Sequence, residues 1–327
     1  MNSYQPLLTK TPAQLIQSNG QPAFGLFDGS IPDFNLQDFI YQNLMDNKAG
    51  ALARYFHYKQ FQFICVTGSD WLLAVAIADI RYANSGFAYL YRFDSNQAVS
   101  KGVLLPGALG CRMSDSPSAG EAKQQFGAYK VAIKTSATNW QLNIDTKELK
   151  ANLTIAKASQ MPLALCAPTG YNGWTYTEKS NALAVSGTVE LQGKSQDLTQ
   201  ALAGYDFSAG FMRRQTSWRW ASINAVVEGQ AFGLNMAAGV NETGLCENAL
   251  WFNGQIQHLS PACFVFDRKD DTKVWQVSSL CGEVQLEFTP LYCRQEKVNI
   301  GLLASNFRQY VGLYTGFVLL RNGTKLQ

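Results

Sequence analysis

The sequence predicts an all-β chain of two consecutive β-barrels or strongly curved sandwiches, with one short helix near the N-terminus. Three observations carry this. Apolar and polar residues alternate with a period of two along most of the chain. Turn residues punctuate these runs at short intervals. The 327 residues, 46% of them hydrophobic and 12% aromatic, exceed the roughly 150–200 that one closed barrel needs.

The helix is expected over Leu36 to Met45, where residues 36, 39, 40 and 44 are apolar and Asn35 can serve as N-cap. Phe61, Phe63 and Cys65 then alternate as a strand, and Trp71 to Ala78 is an apolar run that stops at Asp79. A carboxylate interrupting a buried strand needs a cation, so Asp79 is expected to pair with an arginine. Trp140, Leu142 and Ile144 alternate with polar residues, as do Leu149, Ala151, Leu153 and Ile155 after a polar turn. That spacing is a β-hairpin. Val185 to Leu191 is another strand, turning at Gln192-Gly193. Asn253-Gly254, between Trp251-Phe252 and Gln255-Ile256, is the strongest short hairpin signal. Val284, Leu286 and Phe288 alternate again. The turn-rich stretch Ala167 to Trp174 places a boundary near Pro168 to Asn181 between two β units, residues 1–172 with the helix and residues 173–327.

Composition narrows the function. Charged residues are 16% of the chain, against roughly 25% in soluble domains. The formal charge is +3 with no basic block, which argues against nucleic acid as a partner. No apolar run approaches the roughly 18 residues of a membrane span. The first residues show no secretory pattern and the seven cysteines are scattered, so reduced thiols and a cytoplasmic location are expected. Oligomeric state is not legible.

Two apparent motifs dissolve on inspection. Gly187 to Ser195 ends in Gly-Lys-Ser, but its glycines are wrongly spaced for a phosphate loop and the segment alternates like a hairpin. Asp206 to Gly210 lacks the first glycine of a nucleophile elbow. With only His57 and His258, a three-histidine metal site is impossible, and neither metal nor cofactor is expected. His258 is the better-placed candidate base.

Unusual residues concentrate between 205 and 258. Trp218 and Trp220 are two apart, so in a strand both indoles share a face, either lining a pocket or plugging a barrel. Asp206 and Glu247 could supply a proton or a polar anchor nearby, with His258 as a third candidate catalytic group. Arg214, Asn235, Asn248 and Trp251 complete the candidate ligand-binding set. Phe61, Phe63 and Trp140 read as ordinary core. Aromatic walls with a few converging polar groups are the composition of small-molecule pockets. Two readings stay open: binding of a small, largely apolar ligand such as a lipid or isoprenoid, or a hydratase, isomerase or cyclase acting on one. A glycosidase would need its two carboxylates roughly 5–10 Å apart across an open cleft.

Gly173-Trp174-Thr175-Tyr176-Thr177-Glu178-Lys179, Thr216 to Ser222, Gly233-Leu234-Asn235, Glu247-Asn248 with Trp251, and Ser305-Asn306-Phe307-Arg308-Gln309 resemble one bacterial family, catalogued as domain of unknown function 2804. The resemblance spans nearly the whole chain and implies no activity. More distantly, the two-unit β plan is similar to tandem lipocalin-like proteins, which include carotenoid hydratases and AttH-like proteins. By that analogy both β units would be lipocalin-like.

Overall fold

The structure is a computed structural model that describes residues 4–157, 160–213, 215–239, 244–299 and 304–327. It is all-β, with a curled half-barrel sheet and two further sheets. The compact units are Gln5–His258 and Leu259–Gln327, the latter joined by Tyr4. Strands from both sides of residue 172 pair in one sheet, so the turn-rich stretch before Gly173 is a hairpin inside the larger unit.

In that unit the main sheet runs in the order 97–106, 83–92, 71–79, 58–67, 202–211, 173–191, 149–156, 139–145, 129–135, 120–126 and 111–113. The expected hairpin is present, with Leu142 opposite Leu153 and Ile144 opposite Ala151. The sheet curls until the strand Trp71–Asp79 meets Gly120–Phe126. One core fills the concavity, from Ile64, Val66, Leu73, Val75 and Leu90 to Val131, Ile133, Leu142 and Leu153, all essentially buried. A polar latch spans the curl: the Gln124 amide donates to Asn84 Oδ1 at 2.7 Å, and Asn84 donates to the carbonyls of Gly107 and Leu109. Asp79 pairs with Arg81 at 3.1 Å, as the interrupted strand predicts.

The long strand Gly173–Leu191 organises this unit. Its first part pairs with Leu163–Thr169, and its last part with Leu149–Ala156. Its register against Leu202–Phe211 shifts between Ser180 and Leu183, where Ala182 takes a positive φ of 60°. This is a β-bulge, which bends the strand and lets the sheet turn. Farther along, Gly187 has φ of 121°, and a Cβ there would sit 2.1 Å from the Asn152 carbonyl oxygen.

Four strands, Arg219–Val227, Gln230–Ala238, Ala249–Phe252 and Gln255–His258, form a second sheet beside the bend. The expected Asn253-Gly254 turn closes its last hairpin, with φ of 49° and 72° as a type I′ turn requires. The unit Leu259–Gln327 is a five-stranded antiparallel meander with the long hairpin Val284–Asn299 and Ala304–Leu319 at its centre.

The expected helix shrinks to a single 3-10 turn, Leu36–Asp38. Asn35 is left-handed and its amide binds Asp38 instead of capping a helix. Phe39 then leaves in extended conformation, placing its ring against Tyr41, Trp174 and Phe211. The α-helix is Ala51–His57, which has no fully buried residue and so gives no period for sequence reading to detect. All seven cysteines are free thiols. No helix of the described residues is long and apolar enough to cross a membrane.

Gly187→Ala should destabilise the larger unit by about 2 kcal/mol or more, the strained φ and the close carbonyl both acting against a side chain. Urea unfolding with tryptophan fluorescence measures it, and a change below about 0.5 kcal/mol would contradict the geometry.

Candidate functional site

Two ionisable residues adjacent on the long strand point to opposite faces, because side chains alternate along a strand. Glu178 faces the barrel core, and Lys179 faces the four-stranded sheet. Everything at the candidate site follows from that division.

On the outer face, Lys179 lies opposite Asp206 in the register and its ammonium meets Asp206 Oδ2 at 2.6 Å and Glu247 Oε2 at 3.4 Å. The same ammonium stands 5.4 Å from the ring centre of Trp220, which meets Phe63 edge-on at 5.2 Å. The Trp220 indole donates to Asn235 Oδ1 at 2.7 Å, and Asn235 donates to the Glu247 carbonyl at 2.5 Å. Asn248 Oδ1 accepts from the Ala237 amide at 2.7 Å. Burial opposes the charge on Lys179, but Asp206 and Glu247 more than offset it, holding the ammonium's pKa above the usual lysine range.

The sequence-predicted residues thus converge in part. Asp206, Glu247, Trp220, Asn235 and Asn248 come together, joined by Lys179, which sequence reasoning did not single out. Trp218 does not join them: it precedes the strand that starts at Arg219 and is 47% exposed, so the two indoles form no common wall. Trp251 is fully buried, donates to the Met161 carbonyl at 3.0 Å and packs on Leu163, Leu165 and Ala167. His258 is buried opposite Ala249. Arg214 lies outside the described residues. The two carboxylates share one buried ammonium, so no open cleft separates them.

On the inner face, Glu178 is 2% exposed and lines a cavity of about 210 Å³ with Ser30, Ala137, Trp140, Lys157, Gln160, Pro162, Ser180 and Leu183. The Tyr176 hydroxyl donates to Glu178 Oε2 at 2.9 Å and accepts from the Ile31 amide at 3.2 Å. Burial raises the Glu178 carboxyl above the usual glutamate range, against the opposing pull of Tyr176, Lys157 and Ser30. Trp140 stacks on Tyr205 with centroids 4.2 Å apart, and the Lys157 ammonium stands 4.7 Å from its ring centre. Gln160 donates to the Asn181 carbonyl at 2.7 Å, tying the rim to the bulge.

None of the sequence-predicted site residues lines this cavity. Trp140, which reads as ordinary core, does, because a strand facing a curled sheet's interior shows the same alternation whether or not the interior is filled. A larger concavity of about 460 Å³ lies at Gly110, Cys111, Arg112 and Lys123, but burial pushes its Cys111 thiol up to about 12, far from a reactive thiolate. Among the described residues no group of three or more His, Cys, Asp or Glu could hold a metal ion.

The family model described as a domain of unknown function (DUF2804) matches residues 7–327. The chain belongs to this family. Among solved structures, the DUF2804 chain is similar to kievitone hydratase from Nectria haematococca, at 11% identity and a TM-score of 0.51, covering 78% of this chain and 86% of that one. It is similar to the same degree to CghA in complex with Sch210972, at 11% identity and a TM-score of 0.51, covering 82% and 85%. At that identity the likeness is one of fold. Comparison with curated proteins finds no significant match.

Lys179→Met leaves two buried carboxylates without their cation and should cost the DUF2804 chain about 3–5 kcal/mol in chemical denaturation. Glu178 gives a pH signature. Its folded pKa is raised, so its contribution to stability is full below the unfolded value of about 4.3 and is lost as pH rises through the folded value. The melting temperature of Glu178→Gln relative to wild type should therefore climb as pH increases from about 4.3 and then level off. A difference independent of pH would show that Glu178 titrates normally.

Proposed function

We propose that this protein is an acid–base enzyme of the hydratase, isomerase or cyclase class, acting on a small, largely apolar, unsaturated ligand held in the Glu178 cavity. The observation that carries the reading is the Glu178 carboxyl: nearly fully buried, oriented by the Tyr176 hydroxyl, and facing an open volume. A carboxylic acid that keeps its proton beyond the usual range is what a general acid needs at neutral pH. In each turnover Glu178 would release its proton to the ligand and recover one from the ligand or from added water, so no other reagent is consumed. Tyr176 keeps the carboxyl pointed at the cavity throughout.

The carboxylates singled out in the sequence are less suited. Asp206 and Glu247 already face the Lys179 ammonium, and neither lines the cavity. At about 210 Å³ the cavity is smaller than the roughly 300–1,000 Å³ pockets that take drug-sized ligands, which restricts the substrate to a small molecule. The fold is shared with a protein named as a hydratase, which supports the class without assigning a substrate.

A metabolite extract incubated with the protein in deuterated or ¹⁸O-labelled water tests this by mass spectrometry. Wild type should give a product carrying solvent deuterium or oxygen, and Glu178→Gln should lose at least about 99% of that turnover. A compound retained by both proteins but never labelled would instead identify a binding protein.

A further inference from the structure

Lys157 is the unexplained charge of the cavity. It follows the strand Leu149–Ala156, its amide is tied to the Thr138 carbonyl at 2.9 Å, and its half-buried side chain turns inward over Trp140. Among the described residues, an indole face 4.7 Å away is what receives the ammonium there. Among the described residues the one carboxylate acting on it is Glu178, whose burial favours the uncharged acid. Burial correspondingly pulls the Lys157 ammonium below the usual lysine range, so the cavity holds a cation poorly served by water and by its neighbours.

A second observation fixes how a ligand would meet it. One face of Trp140 is occupied by Tyr205, stacked at 4.2 Å and 27°. Lys157 therefore holds the remaining approach to the indole. A flat ligand entering the cavity must either displace the ammonium or offer it something better than a π-face. An oxygen carrying negative charge does the second, as a charge-assisted hydrogen bond is stronger than an exposed cation–π contact. A neutral alkene does neither.

We infer that Lys157 is a specificity-determining residue, and that the ligand is a small planar unsaturated acid whose anionic oxygen pairs with the Lys157 ammonium while its carbon framework lies toward Glu178. This rests on the cavity being the ligand site. It also constrains the chemistry: an ammonium beside the framework disfavours a carbocation and favours electron density accumulating on the ligand's oxygen. The ligand's charge would further explain why an acid and an amine share one cavity without forming their own ion pair.

Calorimetry with two near-isosteric probes, trans-cinnamate and its neutral amide, tests this at neutral pH. Wild type should bind cinnamate roughly tenfold or more tightly than the amide. Lys157→Met should erase that preference, and Lys157→Arg should largely restore it. Equal binding of both probes to wild type and Lys157→Met would overturn the inference and leave the cavity as a ligand site. Binding of neither probe at millimolar concentration would also overturn it. The labelled-water experiment, which presents a whole extract, decides the cavity reading independently of either result. Circular dichroism of the variants confirms that each is folded, and Lys157, at a strand end on the rim, is a position where substitution spares the core.

Discussion

A strand of nineteen residues cannot run straight through a curled sheet and still keep both neighbours in register along its length. In Gly173–Leu191 that conflict is resolved between Ser180 and Leu183, where the left-handed Ala182 takes up the bend. Two asparagines join the bend to the four-stranded sheet. The Asn181 side chain donates to the carbonyls of Leu234 and Ile223 and to the Ser222 hydroxyl, while Asn224 accepts from the Ala182 amide. Gly233 and Gly204 make room, since a Cβ at either would come within 2.6 or 2.7 Å of Asn181. The four-stranded sheet is therefore fastened at the bend by hydrogen bonds as well as apolar packing.

That fastening places two kinds of carboxylate chemistry on the two sides of one strand. Toward the four-stranded sheet, Lys179 binds both Asp206 and Glu247 in a buried cluster that braces the sheets. Its net worth against an apolar replacement is small, because desolvating three ions costs nearly what their attraction returns, but removing one member is expensive. Toward the barrel core, Glu178 has a hydroxyl for a partner instead of a close cation. Burial outweighs the pull of Tyr176, Lys157 and Ser30 on it, favouring the protonated form. The contrast is between carboxylates held by a buried ammonium and a carboxyl held by a hydroxyl.

Most of the fold was legible in the sequence because its strands are half-buried, and alternation survives wherever one face meets a core. The hairpin 139–156 and the Asn253-Gly254 turn follow directly from pattern and turn chemistry. The helix at Leu36 did not form because the apolar rings there are drawn singly into an aromatic cluster, which period alone does not distinguish from a helical face. Asp206, Glu247, Trp220 and Asn235 stood out as polar and aromatic residues in apolar strands, and they do converge. Lys179 and Glu178 did not stand out, since in Tyr176-Thr177-Glu178-Lys179-Ser180 polar residues fall on both faces and the segment resembles an exposed loop. Five consecutive residues there are buried, because the strand has the barrel core on one side and the second sheet, remote in sequence, on the other. A Glu-Lys pair preceded by Trp174 and Tyr176 within a β-rich region is the signal that would have found it.

The adjacency of Glu178 and Lys179 also makes the strand intolerant to changes of length. Inserting or deleting one residue between Gly173 and Glu178 would exchange the two faces. An ammonium would then enter the cavity beside Lys157, and a third carboxylate would join Asp206 and Glu247. Neither side could relax into a neutral arrangement. The rim positions Ser30, Ala137 and Pro162 carry no such burden, since they touch the cavity from separate segments. Variation of the cavity lining is thus channelled into point substitutions at the rim, while indels are confined to the turns beyond the strand's ends.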